Sequence, residues 1–141
     1  PAHIPDSYIE DAHERLKYYK MLSSATDAAS RSAVELELRD RFGAFPESLE
    51  TFLAVLAFKA RVNELGVARA DLWPDRVRVT WAEGQKRVQP EAIVRLVLEN
   101  RNSIRLQPPS TLEAALDMAL PVAARLDAMR ELLASLSRGA A

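Results

Sequence analysis

The sequence predicts an α+β fold: N-terminal helices, a small, mostly antiparallel sheet at about residues 67–107 that contains an inserted helix, and a long C-terminal helix. Apolar residues before position 66 recur every three or four residues, which is the spacing of a buried helix face. Between Val67 and Trp81 apolar and polar residues alternate instead, which indicates strands. A helical spacing returns after position 110 and continues almost to the C-terminus.

The first helix is predicted from Tyr8 to Leu22, after an extended lead-in at residues 1–7 that contains two prolines. Acidic residues cluster near the start of this helix and lysines near its end, an arrangement that suits the helix dipole. The expected buried stripe consists of Ile9, Ala12, Leu16 and Tyr19.

Two further helices are predicted before the sheet. Asp27 suits the N-cap of the second helix, which continues to about Phe42 and is followed by Gly43, a residue typical of the position after a helix. The third helix is predicted at about residues 46–65, and because it is apolar on two sides we expect it to form the core. The inner residues expected of the second helix are Ala33, Val34, Leu38 and Phe42.

A β-hairpin is predicted around the turn residues Pro74-Asp75, with strands at residues 67–73 and 77–81. The inward residues of its second strand are expected to be Val77, Val79 and Trp81. A short helix at residues 90–100 and a third strand at residues 103–107 complete this region. The inner residues expected of the short helix are Ile93, Val94, Val97 and Leu98.

The last helix is expected to begin at Ser110, because Ser110 and Glu113 match a capping box. Pro121 would lie inside this helix and should kink or split it. Residues 137–141 are expected to fray. The apolar stripe expected of this helix consists of Leu112, Leu116, Ala119, Ala123, Leu126, Met129, Leu133 and Leu136.

Composition indicates an ordinary water-soluble chain. The 141 residues are 48% hydrophobic and 28% charged, with a net charge of −1, and we expect one domain spanning residues 1–141. The absence of cysteine excludes disulfides and thiolate chemistry and is compatible with a cytoplasmic location. No apolar run approaches the roughly 20 residues that span a bilayer, so no membrane partner is expected. The chain begins with Pro1 rather than Met, as a piece of a longer protein would.

The charges are unevenly distributed along the chain. Residues 1–66 carry a net charge of −3 and residues 67–105 a net charge of +3. Basic and aromatic side chains on a sheet can hold a nucleic acid strand through phosphate contacts and base stacking. The hairpin therefore raises the possibility of a nucleic-acid-binding module, although the same residues would also suit a solvated face packed on helices. This alternative face consists of Trp73, Arg76, Arg78, Trp81, Lys86 and Arg87.

Enzymatic chemistry is weakly supported. The four glycines are far apart in the sequence, so no glycine-rich phosphate loop exists and no cofactor is expected. His13 with nearby carboxylates could bind a metal, but a solvated helix start explains these residues better. A serine–histidine–aspartate site would need His3 or His13, and neither histidine lies in a recognisable motif. Asp40 or Glu37 could be one carboxylate of a glycosidase pair, yet nothing identifies the second.

Glu37, Asp40 and Arg41 form a charged stripe along one side of the second helix, because they are three and four residues apart. One interpretation is an intrahelical Glu37–Arg41 ion pair, which stabilises a helix by only roughly 0.2–0.5 kcal/mol. The other is a docking face that meets complementary charges on a partner, in which Arg41 could clamp a carboxylate. Local physics leaves both interpretations open.

Four segments resemble the C-terminal domain of bacterial transcription-repair coupling factors. They are Ile4-Pro5-Asp6-Ser7-Tyr8-Ile9, Arg15-Leu16-Lys17-Tyr18-Tyr19, Glu37-Leu38-Arg39-Asp40-Arg41-Phe42-Gly43 with Pro46, and Leu65-Gly66-Val67. The resemblance is strong through residue 67 and depends mainly on the order of elements after it.

The resemblance implies a regulatory domain without enzymatic activity of its own, inside a multidomain, ATP-driven DNA translocase. Such a parent uses ATP and magnesium in its motor, displaces stalled RNA polymerase from DNA and recruits nucleotide-excision repair. The C-terminal domain is implied to dock on the N-terminal module of the same chain. This contact masks the surface that recruits the damage-recognition ATPase and restrains the motor. The docking contacts carried over by the resemblance are Glu37, Asp40 and Arg41.

Overall fold

The computed structural model describes residues 2–138 and confirms the α+β class. These residues form five helices and one four-stranded antiparallel sheet with the strand order β1-β2-β4-β3. Contacts divide them into two compact units, one ending at Ala60 and the other beginning at Arg61. The elements in chain order are α1 (Ala12–Ser24), α2 (Ala28–Phe42), α3 (Glu47–Glu64), β1 (Val67–Leu72), β2 (Arg76–Trp81), α4 (Pro90–Glu99), β3 (Ile104–Gln107), β4 (Thr111–Ala115) and α5 (Val122–Arg138).

Helix α1 begins four residues later than predicted. The backbone N–H groups of Tyr8 and Ile9 both donate to the carbonyl of Pro5, so a turn occupies this segment. Asp11 is the N-cap of α1, and its carboxylate accepts a hydrogen bond from the backbone of His13.

The predicted inner stripe of α1 is right in part. Ile9 is buried and Tyr19 packs against the core, but Ala12 and Leu16 are exposed. The buried residues of the helix itself are Tyr18 and Leu22. Tyrosine can be buried here because its hydroxyl has a hydrogen-bond partner inside the unit. The buried core of the first unit consists of Ile4, Ile9, Tyr18, Leu22, Val34, Leu38 and Leu49.

Helix α2 confirms its prediction in most details. Asp27 caps it by accepting a hydrogen bond from the backbone of Ser30, and Val34 and Leu38 are buried. Ala33, however, is exposed. Gly43 follows the helix with φ of 90°, a conformation that favours glycine because other residues have a Cβ that crowds the backbone there.

The β1–β2 hairpin forms as predicted, and the inward residues Val77, Val79 and Trp81 are buried. The prediction for α4 is wrong in its orientation, since Ala92 and Leu96 are buried while Val94 and Leu98 are exposed. This helix is apolar around most of its circumference, so residue spacing alone does not define one inner side.

The largest correction concerns residues 110–121, which do not begin a helix. Thr111–Ala115 is a strand, β4, that pairs with both β2 and β3, and α5 begins at Val122. Leu112 and Leu116 are four residues apart, which fits a helix stripe, but together with Ala114 they also fit the alternation of a strand. Pro121 precedes the helix rather than kinking it, a position in which its missing N–H costs nothing. Of the segment expected to fray, Ser137 and Arg138 belong to α5, and residues 139–141 lie outside the described residues.

Candidate docking surface

The charged stripe of α2 points away from the core of its unit. Val34 and Leu38 face inward, whereas Glu37, Asp40 and Arg41 are exposed. The two groups occupy different sides because consecutive residues of a helix are about 100° apart. The apolar residues therefore fix the orientation of the helix and place the three charged residues on its outer side.

Glu37 and Asp40 are unpaired among the residues that the structure describes. Within residues 2–138, neither side chain takes part in a hydrogen bond or an ion pair. Both carboxylates thus keep their full capacity to accept hydrogen bonds from cationic groups of another molecule.

Arg41 behaves differently from the two acids. Its Nη1 donates to the buried hydroxyl oxygen of Tyr18 at 2.8 Å and lies 3.4 Å from Oε2 of Glu14. The alternative expected from the sequence, an intrahelical pair with Glu37, is not formed. The hydrogen bond to Tyr18 first, and the charge of Glu14 after it, raise the pKa of the Arg41 guanidinium. Arg41 is therefore a permanently charged link between α2 and α1.

The end of α2 is held by a second tyrosine. The hydroxyl of Tyr8 donates to the carbonyl oxygen of Gly43 at 2.7 Å and lies 3.2 Å from that of Leu38. Its ring contacts those of Phe42 and Phe45, with centroids 5.7 and 6.3 Å apart. Burial raises the pKa of the Tyr8 hydroxyl, with Arg39 acting in the opposite direction, so Tyr8 remains a donor at neutral pH.

These tyrosines were not identified as site residues from the sequence. Tyr18 lies 23 residues before Arg41, and no local spacing indicates that the two side chains meet. The contact exists only because α1 and α2 pack against each other, a consequence of tertiary structure.

The alternative nucleic-acid face is only partly assembled. Arg76 and Arg78 lie over the ring of Trp73, with guanidinium carbons 4.3 and 5.3 Å from its centroid. Trp81 does not belong to this face, because it is buried and donates its indole N–H to the carbonyl of Leu65 at 2.9 Å. It therefore cannot stack on a base.

The charges of this sheet face are largely compensated. Arg78 donates to Glu113 at 3.0 Å, and Arg76 lies 3.6 Å from the same carboxylate and 3.0 Å from Asp75. The hydrogen bond from Arg78, supported by its charge and that of Arg76, holds the pKa of the Glu113 carboxyl below its ordinary value. Sequence reasoning missed Glu113 because it assigned this residue to a helix cap.

The two remaining basic residues of the proposed face are exposed near the loop after β2. Lys86 has no described partner, and Arg87 donates to the backbone carbonyl of Glu64 at 3.2 Å. Within the described part of the chain, no group of three or more histidine, aspartate or glutamate side chains is arranged to hold a metal ion. In residues 2–138 there is also no helix of the length and apolar character that crossing a membrane requires.

Comparison with known proteins identifies one family. The family model for the transcription-repair coupling factor (TRCF) domain matches residues 1–93. Among curated proteins, the chain is similar to the transcription-repair-coupling factors of Escherichia coli, at 27% identity over 119 residues, and of Myxococcus xanthus, at 29% over 114 residues. These matches cover 84% and 81% of this chain but only 10% and 9% of the relatives, so the chain corresponds to about a tenth of their length.

A solved structure has the same fold. The crystal structure of the C-terminal domain of a transcription-repair coupling factor superposes with a TM-score of 0.73 at 18% sequence identity. The match covers 98% of this chain and 89% of the solved one, so it includes the sheet and α5 as well as the N-terminal helices.

Proposed function

This chain belongs to the TRCF domain family, and from that premise we propose that it is the regulatory C-terminal domain of a transcription-repair coupling factor. Its function is to dock on the N-terminal module of the same protein through the acidic face of α2. In the resting state this contact masks the surface that recruits the damage-recognition ATPase and restrains the motor.

The observation that carries the proposal is the pair of exposed, unpaired carboxylates at Glu37 and Asp40. A rigid helix presents both on one side, so a partner with two suitably spaced arginines or lysines can bind both at once. Isolated surface carboxylates contribute little to the stability of their own domain. Their chemistry is therefore available for an intermolecular or interdomain contact.

A polar contact of this kind suits a reversible, intramolecular closed state. A covalent link between two modules supplies a high effective concentration, so that modest contacts can hold a closed state. Release then requires only a competing interaction that favours the open state. We expect the separated domain and module to bind weakly, with a dissociation constant in the micromolar range or above.

The parent protein, in this proposal, is a cytoplasmic DNA translocase that hydrolyses ATP with magnesium in separate motor domains. It removes RNA polymerase stalled on double-stranded DNA and couples this step to nucleotide-excision repair. The domain itself contributes regulation and no chemistry.

The experiment is a titration of the separately produced N-terminal module with this chain. Glu37→Ala/Asp40→Ala should weaken binding by about tenfold or more, because both charged contacts are lost. Glu47→Ala/Glu50→Ala is a matched control, since it removes two exposed carboxylates from the start of α3 in the same unit. Equal binding by wild type and the Glu37/Asp40 variant would refute the docking role.

A nucleic-acid-binding module is the weaker alternative. Glu113 and Asp75 pair with the arginines that would meet phosphates, and Trp81 is buried. Binding of single- or double-stranded DNA by this chain at low salt, with strong loss as salt rises, would support that alternative.

A further inference from the structure

We infer that Arg41 serves the docking surface from inside the domain: it is a positioning residue that acts through Tyr18, and only Glu37 and Asp40 face the partner. This inference rests on the proposed docking function. It departs from the assignment of all three charged residues as docking contacts.

Nη1 of Arg41 is directed toward its own unit, while the side chain as a whole is 44% exposed. Nη1 donates to the Tyr18 hydroxyl at 2.8 Å and lies 3.4 Å from Glu14. The guanidinium carbon is also 4.9 Å from the centroid of the Phe42 ring and 5.9 Å from that of Tyr18. Hydrogen bonds and aromatic contacts thus act on the same group.

Tyr18 makes it energetically unfavourable for Nη1 of Arg41 to turn away from α1. Its side chain is completely buried, and its hydroxyl oxygen accepts the hydrogen bond from Arg41. If Arg41 turned outward to meet a partner, that buried oxygen would lose this donor. Burying a polar atom without its partner is unfavourable, so the inward orientation is the stable one.

The link supports the direction of the docking carboxylates. Arg41 follows Asp40 directly and lies one turn after Glu37, so its attachment to α1 adds to the buried Val34 and Leu38 in holding the rotation of this turn of α2. Glu14 balances the charge of Arg41, which leaves Glu37 and Asp40 as the uncompensated charges of the stripe. The matching partner surface is therefore basic and needs no acidic group opposite Arg41.

The test measures binding to the separately produced N-terminal module with Tyr18→Phe, a substitution that removes only the buried hydroxyl. Tyr18 cannot touch a partner, so a direct role of Arg41 predicts no loss of affinity, and a gain where Arg41 must leave Tyr18 to bind. The positioning role predicts that Tyr18→Phe weakens binding by about threefold to tenfold at a temperature where circular dichroism shows the chain folded. Arg41→Met should weaken it at least as much, and the double variant should bind no worse than Arg41→Met.

Tyr19→Phe is the matched control. Tyr19 lies on the same helix and its hydroxyl accepts a hydrogen bond from the backbone of Ile4, away from Arg41. This variant should lose a comparable hydrogen bond without a change in affinity. A loss equal to that of Tyr18→Phe would overturn the inference, because the effect would then be one of general stability.

Salt dependence gives a second measurement that uses Arg41→Met alone. A direct contact with a partner carboxylate predicts a shallower dependence of affinity on salt in this variant, because one attractive pair is lost. Positioning predicts a dependence that is unchanged or steeper, because removing the cation makes the docking face more acidic.

The outcomes separate the inference from the function on which it rests. The positioning role would be overturned by any of three results. These are an affinity of Tyr18→Phe equal to or higher than that of wild type, additive losses in the double variant, and a shallower salt dependence of Arg41→Met. Glu37→Gln/Asp40→Asn tests docking itself. If this variant binds like wild type, the docking function fails. If it binds more weakly while Tyr18→Phe keeps the wild-type affinity, only the positioning role of Arg41 is rejected.

Discussion

Replacement of Tyr8 by phenylalanine tests how the end of the docking helix is held. The hydroxyl of Tyr8 is 2.7 Å from the carbonyl oxygen of Gly43 and 3.2 Å from that of Leu38, and both carbonyls belong to the C-terminal end of α2. Phenylalanine keeps the ring and its contacts with Phe42 and Phe45. The substitution therefore removes one hydrogen bond and little else.

The expected loss is about 1 kcal/mol of unfolding free energy, the typical net value of one hydrogen bond. The Gly43 contact is exposed, so water can replace the donor there, while the Leu38 carbonyl is partly buried. The two effects place the loss between roughly 0.5 and 1.5 kcal/mol, or about 2–6 °C in melting temperature for a chain of this size.

Circular dichroism is the appropriate probe, because both tryptophans, Trp73 and Trp81, lie in the unit that begins at Arg61 and do not report on α2. Hydrogen exchange should also accelerate at the amide of Gly43, which donates to Arg39 at the helix end. Unchanged melting and exchange would refute the role of the hydroxyl. A loss above about 3 kcal/mol would also contradict it, because a single hydrogen bond does not account for that much.

Three further predictions concern the second unit. Arg78 lowers the pKa of the Glu113 carboxyl in the folded state. The ion pair therefore stabilises the fold above the ordinary pKa of glutamate, and this stabilisation is lost as the pH falls through the folded-state pKa. The urea midpoints of wild type and Glu113→Gln should converge on acidification from about pH 7 to about pH 3, and parallel curves would contradict this. Trp81→Phe should cost about 1–3 kcal/mol in urea unfolding, because the Leu65 carbonyl loses its donor, and a cost no larger than that of Trp73→Phe would argue against a buried Trp81. Ser110→Ala should change stability by no more than about 0.5 kcal/mol, whereas a loss of about 1 kcal/mol would indicate a helix N-cap there instead of the start of β4.

The parts of the fold that the sequence predicted are those with local causes. Asp27 and Gly43 bound α2 through capping and backbone conformation, and Pro74-Asp75 bounds the hairpin in the same way. Residues 111–116 were mistaken for helix because a spacing of four also occurs in an alternating strand. The pairing with β2 and β3 that decides between the two is nonlocal.

In the candidate site, too, the features with local causes were predicted and those that depend on tertiary contacts were not. Helical spacing placed Glu37, Asp40 and Arg41 on one exposed stripe, but it could not indicate that Arg41 turns inward to Tyr18. For Trp81 the alternation of β2 predicted a buried residue, whereas its proximity to arginines suggested an exposed one. The structure agrees with the alternation, because the inner side of the sheet excludes water and the indole N–H finds a carbonyl there.

The most direct test of the docking surface is site-specific photocrosslinking to the separately produced N-terminal module. A photoreactive residue at Leu36 would be exposed next to Glu37, while one at Leu98 on α4 would be similarly exposed in the other unit; their side chains are 61% and 54% accessible. We predict a crosslink from position 36 that disappears in the Glu37→Gln/Asp40→Asn background, and none from position 98. A crosslink from position 98 without one from position 36 would contradict docking through α2.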